Sequence, residues 1–234
     1  MHIGVIPARA GSKRLPGKNR KILGDDPLWV RSVNKSVRHM DKTFVNTDDE
    51  LILAWSFYAV EKWAFTCQKY KRPENLSGDM TSIDDVLIEM AKTLGFSDND
   101  IIHLFQPTNP FICDKTIKAV KKSIDVNECD SVQSIAEVPN IYHSFSQRYL
   151  TDSKVTFIFP GQREICYNAQ TKPKHYIFAG YVAFRVESLL KYNNIWGETS
   201  IGLETSGNFY ELIDIDTEED LENARLIISA GIAS

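Results

Sequence analysis

Over its first half the chain alternates short apolar runs of strand length with segments of helical periodicity, and few architectures accept that rhythm. Ile3–Pro7 (IGVIP) reads as a buried strand, followed by a Gly/Lys/Arg loop and a helix near Leu28–Arg38. Thr43–Thr47 reads as a second strand ending in the carboxylates Asp48, Asp49 and Glu50. Leu51, Ala54, Trp55 and Tyr58 then fall at i, i+3, i+4, i+7, the spacing of one helix face. Phe65–Gln68 is a candidate third strand, Asp84–Leu94 a helix and Ile101–Phe105 another buried strand. Asp114 is placed to cap a helix carrying Ile117, Val120 and Ile124. Strands alternating with helices in this order predict an α/β fold with a doubly wound, mostly parallel sheet.

The rhythm changes after Val138. Tyr149–Phe159 reads as a hairpin turning at Asp152–Lys154, and residues 139–175 read as an insertion, either a subunit interface or a surface flap. Tyr176–Arg185 returns to strand character, Leu212–Ile215 is expected to be a last strand, and Glu218–Ser229 a closing helix. No repeat or linker divides the chain. At 234 residues it is long enough for one full core, so 1–234 is taken as a single domain.

A formal charge of −4 disfavours nucleic acid as a partner, because backbone binding needs a basic field. Cys67, Cys113, Cys129 and Cys166 are far apart with no CxxC pair, which fits free thiols in a reducing compartment. No apolar run approaches the roughly 20 residues of a membrane span, and charged residues begin at Arg9, so no signal peptide is expected. The expected location is the cytoplasm.

The loop after the first strand, IPARAGSKRLPGKN (Ile6–Asn19), is the richest functional signal. Open α/β sheets bind ligands at the carboxyl ends of their strands. Gly11 and Gly17 permit positive φ and close backbone approach. Arg9, Lys13, Arg14, Lys18, Arg20 and Lys21 crowd six cations into thirteen residues with no acid among them, a natural partner for polyphosphate. Walker A fails, since five residues separate the glycines and Lys18 is followed by Asn19; there is no GxGxxG either. Asn19 is a candidate ligand contact because its amide both donates and accepts. Gln106, at the end of a buried strand, is a candidate for ribose or sugar, or else a strand-capping amide. Asp214 and Asp216 lie two apart on the expected last strand, a spacing that can hold a magnesium ion. Thr217, Glu218, Glu219 and Asp220 read as helix-start chemistry. His103, His143 and His175 lack metal spacing, although His175 lies near the presumed acceptor pocket, and the tryptophans read as packing.

Taken together these segments resemble the acylneuraminate cytidylyltransferases. IPARAGSKRLPGKN is similar to the opening signature of that family, VNTDD (Val45–Asp49) to its second-strand motif, and Arg72–Pro73 with Leu76 and Asp79 to RPxxLAxD. FQPTNP (Phe105–Pro110) resembles LQPTSP, Tyr176–Gly180 the YxxNG segment, and IDIDT (Ile213–Thr217) the late aspartate motif. The resemblance implies a Rossmann-like nucleotidyltransferase fold, CTP and a 2-keto-3-deoxy sugar acid as substrates, Mg2+, and a homodimer. It implies nucleotide contacts at Ala8, Arg9, Gly11, Ser12, Asn19, Arg72 and Gln106, with Thr81 or Ser82 on the base. For Arg72 a surface salt bridge is the alternative. It further implies Lys13 and Lys18 on the triphosphate, Asp214 and Asp216 on the metal, and Asp216 or a metal-bound water assisting deprotonation. Gln106, Gln170, Tyr176 and Gly180 would meet the acceptor.

Two positions depart from the family pattern, Ala169 for an arginine and Ala179 for the asparagine of YxxNG. Both fall where the acid would be gripped, so Arg163, Lys172 or Lys174 would have to replace the arginine. An alanine beside the glycine also occurs in the related pseudaminic-acid enzymes. Three other readings compete: a sugar-1-phosphate nucleotidyltransferase, a nucleotide-sugar-dependent glycosyltransferase, and a nucleotide-binding protein without turnover.

Overall fold

The structure, a computed structural model, describes residues 1–55, 67–205 and 208–233. Its centre is a seven-stranded sheet whose strands lie in the order 200–204, 131–137, 176–185, 101–105, 2–7, 42–47 and 67–71, and a separate pair joins β2 (Ile22–Leu23) to β3 (Asp26–Pro27). Strands β1 (His2–Pro7), β4 (Lys42–Thr47), β5 (Cys67–Lys71) and β6 (Ile101–Phe105) run parallel. Strand β10 (Tyr176–Arg185) is antiparallel to both neighbours, β6 and β7 (Ser131–Glu137), and β11 (Ser200–Glu204) pairs in parallel with β7 at the edge. The first strands, the 101–105 strand and the 176–185 strand thus stand where the sequence places them. Of the expected 65–68 strand, residues 67 and 68 open β5, and Phe65 lies outside the described residues, as does Tyr58.

Period-2 alternation puts apolar residues of the central strands on both faces of the sheet. Ile3, Val5, Ile102, Leu104, Val182 and Phe184 face one cluster with Leu87 and Met90 of α3 (Ile83–Leu94) and Leu189 of α6 (Val186–Tyr192). Ile6, Ile101, Phe105, Tyr181 and Ala183 face the other, with Val33 of α1 (Leu28–His39) and Ile117, Val120 and Ile124 of α4 (Asp114–Val126). Helices on both faces leave strands with no polar side, as parallel sheets require. A third cluster ties Leu15 of the opening loop to Leu23, Leu28, Phe111, Ile215, and Leu221 and Ala224 of α7 (Glu218–Ser229).

Three expectations are corrected. Cys113, not Asp114, occupies the N-cap of α4, with Asp114 in the first turn. The helix after β4, α2 (Glu50–Ala54), is short: Asp49 caps it, accepting from the Leu51 N–H at 2.9 Å, and Trp55 is already extended. Residues 212–215 are not a strand of the sheet. Residues 209–212 form a 3-10 turn, and the chain then runs extended, held by the Ile215 N–H donating to the Thr108 carbonyl at 2.8 Å. The edge strand on the side away from β5 is β11, which the sequence reading misses along with β7. Their polar residues hide the pattern: Ser131 and Ser134 are buried, the latter donating to the Tyr181 carbonyl at 3.1 Å.

The hairpin is present, β8 (Arg148–Thr151) against β9 (Lys154–Phe157), and its turn residues Asp152 and Ser153 both take positive φ, 49° and 65°. That is the handedness a two-residue turn needs to match strand twist. It sits within 139–175 together with α5 (Pro160–Ile165) and three short 3-10 turns.

Candidate active site

The opening loop leaves the carboxyl end of β1 and is pinned at both ends. The Ala8 N–H donates to the Asn46 carbonyl at 2.9 Å and its own carbonyl accepts from Thr47 Oγ1 at 2.6 Å. The Ala10 N–H donates to Asp48 Oδ1 at 2.8 Å, and Asn19 Nδ2 to the Arg9 carbonyl at 2.8 Å. Ala8 is therefore a fully engaged structural residue, whereas Asn19 both braces the loop and reaches the cavity. Gly17 takes the expected positive φ (66°); Gly11 does not.

Burial of Leu15 and Ile215 in one cluster draws two distant segments together. Between them lies a cavity of about 450 Å3, lined by Arg9, Gly11, Ser12, Lys13, Arg14, Lys18, Asn19, Gln106, Thr108 and two carboxylates, Asp79 and Asp216. Each carboxylate holds two loop cations. Asp216 accepts from Lys18 Nζ at 2.9 Å and Arg14 NH2 at 2.7 Å; Asp79 accepts from Arg9 NH1 at 2.8 Å and Lys13 Nζ at 2.6 Å. Arg20 and Lys21 pair outside it, with Asp49 and Glu218. The loop contains no acid, yet each of its six cations meets one from elsewhere in the chain. Four cations against two carboxylates still leave the cavity with a surplus of two positive charges, fitting a polyphosphate.

Asp216 is positioned by the start of α7. Thr217 and Asp220 form a capping box, and the Asp220 carboxylate also accepts from the Asp216 N–H at 3.0 Å. The helix-start reading of these residues holds, with Asp220 additionally fixing the backbone of Asp216. Asp214 is exposed and does not line the cavity, because the segment is not part of the sheet. No group of three or more His, Cys, Asp or Glu able to hold a metal occurs among the described residues. Of the expected pair only Asp216 lines the cavity, and a single carboxylate suits a hard cation completing its shell with phosphate oxygens and water.

A second, smaller cavity of about 180 Å3 shares Pro7, Arg9 and Asp79 with the first and adds Arg72, Gly78, Thr81, Ser82 and Val86. Arg72 is buried, with Nε donating to Asn46 Oδ1 at 2.6 Å, so it forms no surface salt bridge. Burial pushes its pKa down, opposed by Asp48. Thr81 and Ser82 both reach this cavity, and Ser82 Oγ also caps α3 by accepting from the Asp85 N–H at 3.0 Å.

The acceptor residues expected from the sequence do not gather here. Gln106 lines the larger cavity, but Gln170 is exposed on a 3-10 turn of the insertion, and Tyr176 donates to Glu204 Oε1 at 2.9 Å on the far edge of the sheet. Gly180, at φ 85°, serves packing. A Cβ there would lie 2.5 Å from Asn109 Cγ, and Asn109 Nδ2 donates to the Ile213 carbonyl at 3.2 Å, locking the Asp216 segment onto the loop after β6. Arg163 donates to the Tyr167 carbonyl, Lys172 to Ser146 and Lys174 to Glu137, so none of the three lines the cavity. His175 stacks on His143 inside the insertion, away from the cavity. Asn109 was missed because its role depends on a glycine 71 positions away.

Residues 3–229 match the profile of the cytidylyltransferase family. The chain belongs to that family. It is 26% identical to a 3-deoxy-manno-octulosonate cytidylyltransferase of Coxiella burnetii, with 94% of this chain and 97% of the relative covered. A CMP-N,N'-diacetyllegionaminic acid synthase of Legionella pneumophila is 33% identical over half of each chain. Among solved structures, a CMP:2-keto-3-deoxy-manno-octonic acid synthetase complexed with CTP superposes at a TM-score of 0.66 and 17% identity, covering 98% of this chain and 99% of the other. A 2-C-methyl-D-erythritol 4-phosphate cytidylyltransferase of Francisella tularensis gives 0.67 at 14%, covering 96% and 98%. These two likenesses bear on the fold, a Rossmann-like nucleotidyltransferase sheet. The family match is broader than the acylneuraminate branch.

Proposed function

We propose that this cytidylyltransferase transfers CMP from CTP to the anomeric hydroxyl of a 2-keto-3-deoxy sugar acid, an N-acylneuraminate, legionaminate, pseudaminate or 3-deoxy-octulosonate, and releases pyrophosphate. One observation carries the reading: four cations of the opening loop, Gln106 and Asp216 converge on a single cavity. The names of the relatives support an acid as acceptor.

Lys13, Lys18 and Arg9 bind the triphosphate, and the Gly11–Ser12 backbone approaches it. Arg72 with Thr81 or Ser82 frames the cytosine, and Gln106 meets ribose or acceptor. The acceptor hydroxyl oxygen forms a bond to the α-phosphorus while the bond to the pyrophosphate oxygen breaks. Asp216, one of the two carboxylates lining the cavity, takes the hydroxyl proton. Asp216 would hold Mg2+, whose chemistry there would be to neutralise charge on the triphosphate. Such transfer depends on positioning and charge stabilisation more than on covalent catalysis.

The same reading makes the chain a homodimer working in the cytoplasm. Tyr142, Leu150, Val155, Ile165 and Tyr167 are exposed on the insertion, and a lone two-stranded hairpin is marginally stable without something packed on it. All four cysteines are free thiols, and among the described residues no helix is long and apolar enough to cross a membrane.

The test is pyrophosphate release from CTP, ATP, GTP and UTP against a panel of keto-sugar acids. CTP with one acid is the expected productive pair. Release with no acid, or with a sugar 1-phosphate instead, would overturn the reading.

A further inference from the structure

Asp79 belongs to no catalytic step above, yet it is the only acid lining both cavities among the described residues. Its carboxylate bridges Arg9 and Lys13, two of the cations assigned to the triphosphate, and Arg9 NH1 also reaches the Ser77 carbonyl at 3.5 Å. The Arg9–Asp79 pair is therefore a wall between the 450 Å3 phosphate cavity and the 180 Å3 cavity of Arg72, Thr81 and Ser82. A nucleoside triphosphate needs both spaces at once, because base and phosphates are one molecule.

We infer that Asp79 is an internal stand-in for a phosphate group, and that an incoming nucleoside triphosphate displaces it from Arg9 and Lys13, joining the two cavities. The inference rests on reading the larger cavity as the triphosphate site. Three observations support displacement over permanent pairing. Asp79 is exposed, so release costs little desolvation, and exposed pairs are individually weak. Gly78 precedes it, and even a Cβ there would make only ordinary contact, 3.5 Å from Thr81 Oγ1, so the 77–82 loop is not tightly packed at that point. A polyphosphate also presents several charges to the same two cations where Asp79 presents one. Asp216 differs in kind. It holds Lys18, which is only 15% exposed, and its backbone is fixed by the α7 capping box, so it stays when the phosphates arrive.

The pairing sets nucleotide affinity from below: every binding event first breaks two ion pairs. The loop that carries Asp79 also ends in Thr81 and Ser82. Occupation of the phosphate cavity is thereby linked to the geometry of the base cavity.

The experiment titrates inorganic tripolyphosphate, with EDTA and at fixed low ionic strength, into the wild-type chain and into Asp79→Asn by calorimetry. The variant is expected to bind about three- to tenfold tighter, the range for losing two exposed ion-pair competitors. Asp79→Glu, which keeps the charge, should return affinity toward wild type. Glu74→Gln removes one charge from the neighbouring turn and should change affinity less than twofold. Unchanged or weaker binding in Asp79→Asn would overturn the inference, and so would equal tightening in Glu74→Gln. If tripolyphosphate binding tightens as expected while the wild-type chain releases no pyrophosphate from CTP with any acid, displacement stands and the proposed function falls. If CTP is turned over and Asp79→Asn does not tighten, the function stands and displacement falls.

Discussion

The parallel half of the sheet and the 139–178 segment obey different rules. In β1, β4 and β6 most residues are buried, and the loops at the carboxyl ends of β1 and β6 line the cavity. In β8 all four residues are exposed, and in β9 three of four. One strand crosses from one regime to the other. Tyr176, Ile177 and Phe178 of β10 are exposed, the register shifts after Phe178, and from Ala179 the strand is buried. On the proposed function the difference separates chemistry from assembly. The first region fixes reacting groups on rigid elements, whereas the second presents apolar side chains that its own protomer does not cover. Changes in the first should alter catalysis with little effect on association, and changes in the second should do the reverse.

The largest effect expected on that division is Asp216→Asn. It keeps the size of the side chain and the Thr217–Asp220 cap but removes the charge that faces Lys18 and Arg14. Magnesium-dependent pyrophosphate release should fall at least about 100-fold, the scale for losing an electrostatic group at a transition state. The sedimentation coefficient should not change. A rate within tenfold of wild type would remove Asp216 from the mechanism.

Leu150→Asp combined with Ile165→Asp places two charges on the exposed insertion surface. Sedimentation should shift from dimer to monomer, while tripolyphosphate binding in the cavity stays within about twofold. Wild-type chain that sediments as a monomer at micromolar concentration would break the comparison, because the apolar surface would then need another explanation.

Legibility in the sequence follows the same division. Ile3–Pro7 and Ile101–Phe105 are readable because parallel strands buried on both faces are mostly apolar, and Thr43–Thr47 because Phe44 and Val45 stand among β-branched threonines. The hairpin was readable because Asp152 and Ser153 mark a turn between alternating runs. Strand β7 was not, since its buried serines satisfy their hydroxyls on Tyr181 and Trp196 carbonyls that no local pattern reveals. Strand β11 pairs only with β7 in the sheet order, so missing one hid the other. In the site, the loop cations were legible as a charge cluster, but their partners Asp79 and Asp216 lie about 70 and 200 positions away. Gln170 and Tyr176 failed for the opposite reason. They sit in the region whose neighbours within one protomer are few, and motif position alone does not bring them to the cavity.

The core of the first region also carries a titratable chain. Tyr181 OH lies 2.8 Å from His103 Nδ1, His103 Nε2 lies 2.9 Å from His2 Nδ1, and His2 Nε2 lies 3.0 Å from Asp125. With both imidazoles neutral, each can donate onward in one direction, from the tyrosine to the aspartate. Burial pushes the His103 pKa well below its ordinary value, with His2, Lys121 and His39 acting the same way. Burial likewise lowers His2, against the opposing pull of Asp125. The unfolded chain therefore binds protons first as pH falls below about 6.5, so stability is present above that pH and is lost below it. As pH falls below about 6.5 the fully buried His103 should make stability decline progressively, read from urea unfolding at a series of pH values. His103→Leu should flatten that slope; an identical slope in the variant would move its origin outside the core.

The smallest effect bears on whether the hairpin is an energetic unit of its own. Asp152 and Ser153 both hold φ values that favour glycine, and Asp-Gly is a preferred pair for a turn of this hand. Ser153→Gly should therefore stabilise the hairpin by about 0.5–1 kcal/mol, since a left-handed residue with a Cβ carries a cost that glycine does not. If β8 and β9 open without disturbing the sheet, that gain appears only as about two- to fivefold slower amide exchange within 148–157, and the global melting temperature stays put. If the melting temperature rises in step, the hairpin unfolds with the core. The exposed side chains of β8 argue for the first outcome: they bury nothing against the sheet, so little apolar contact couples the two regions within one protomer.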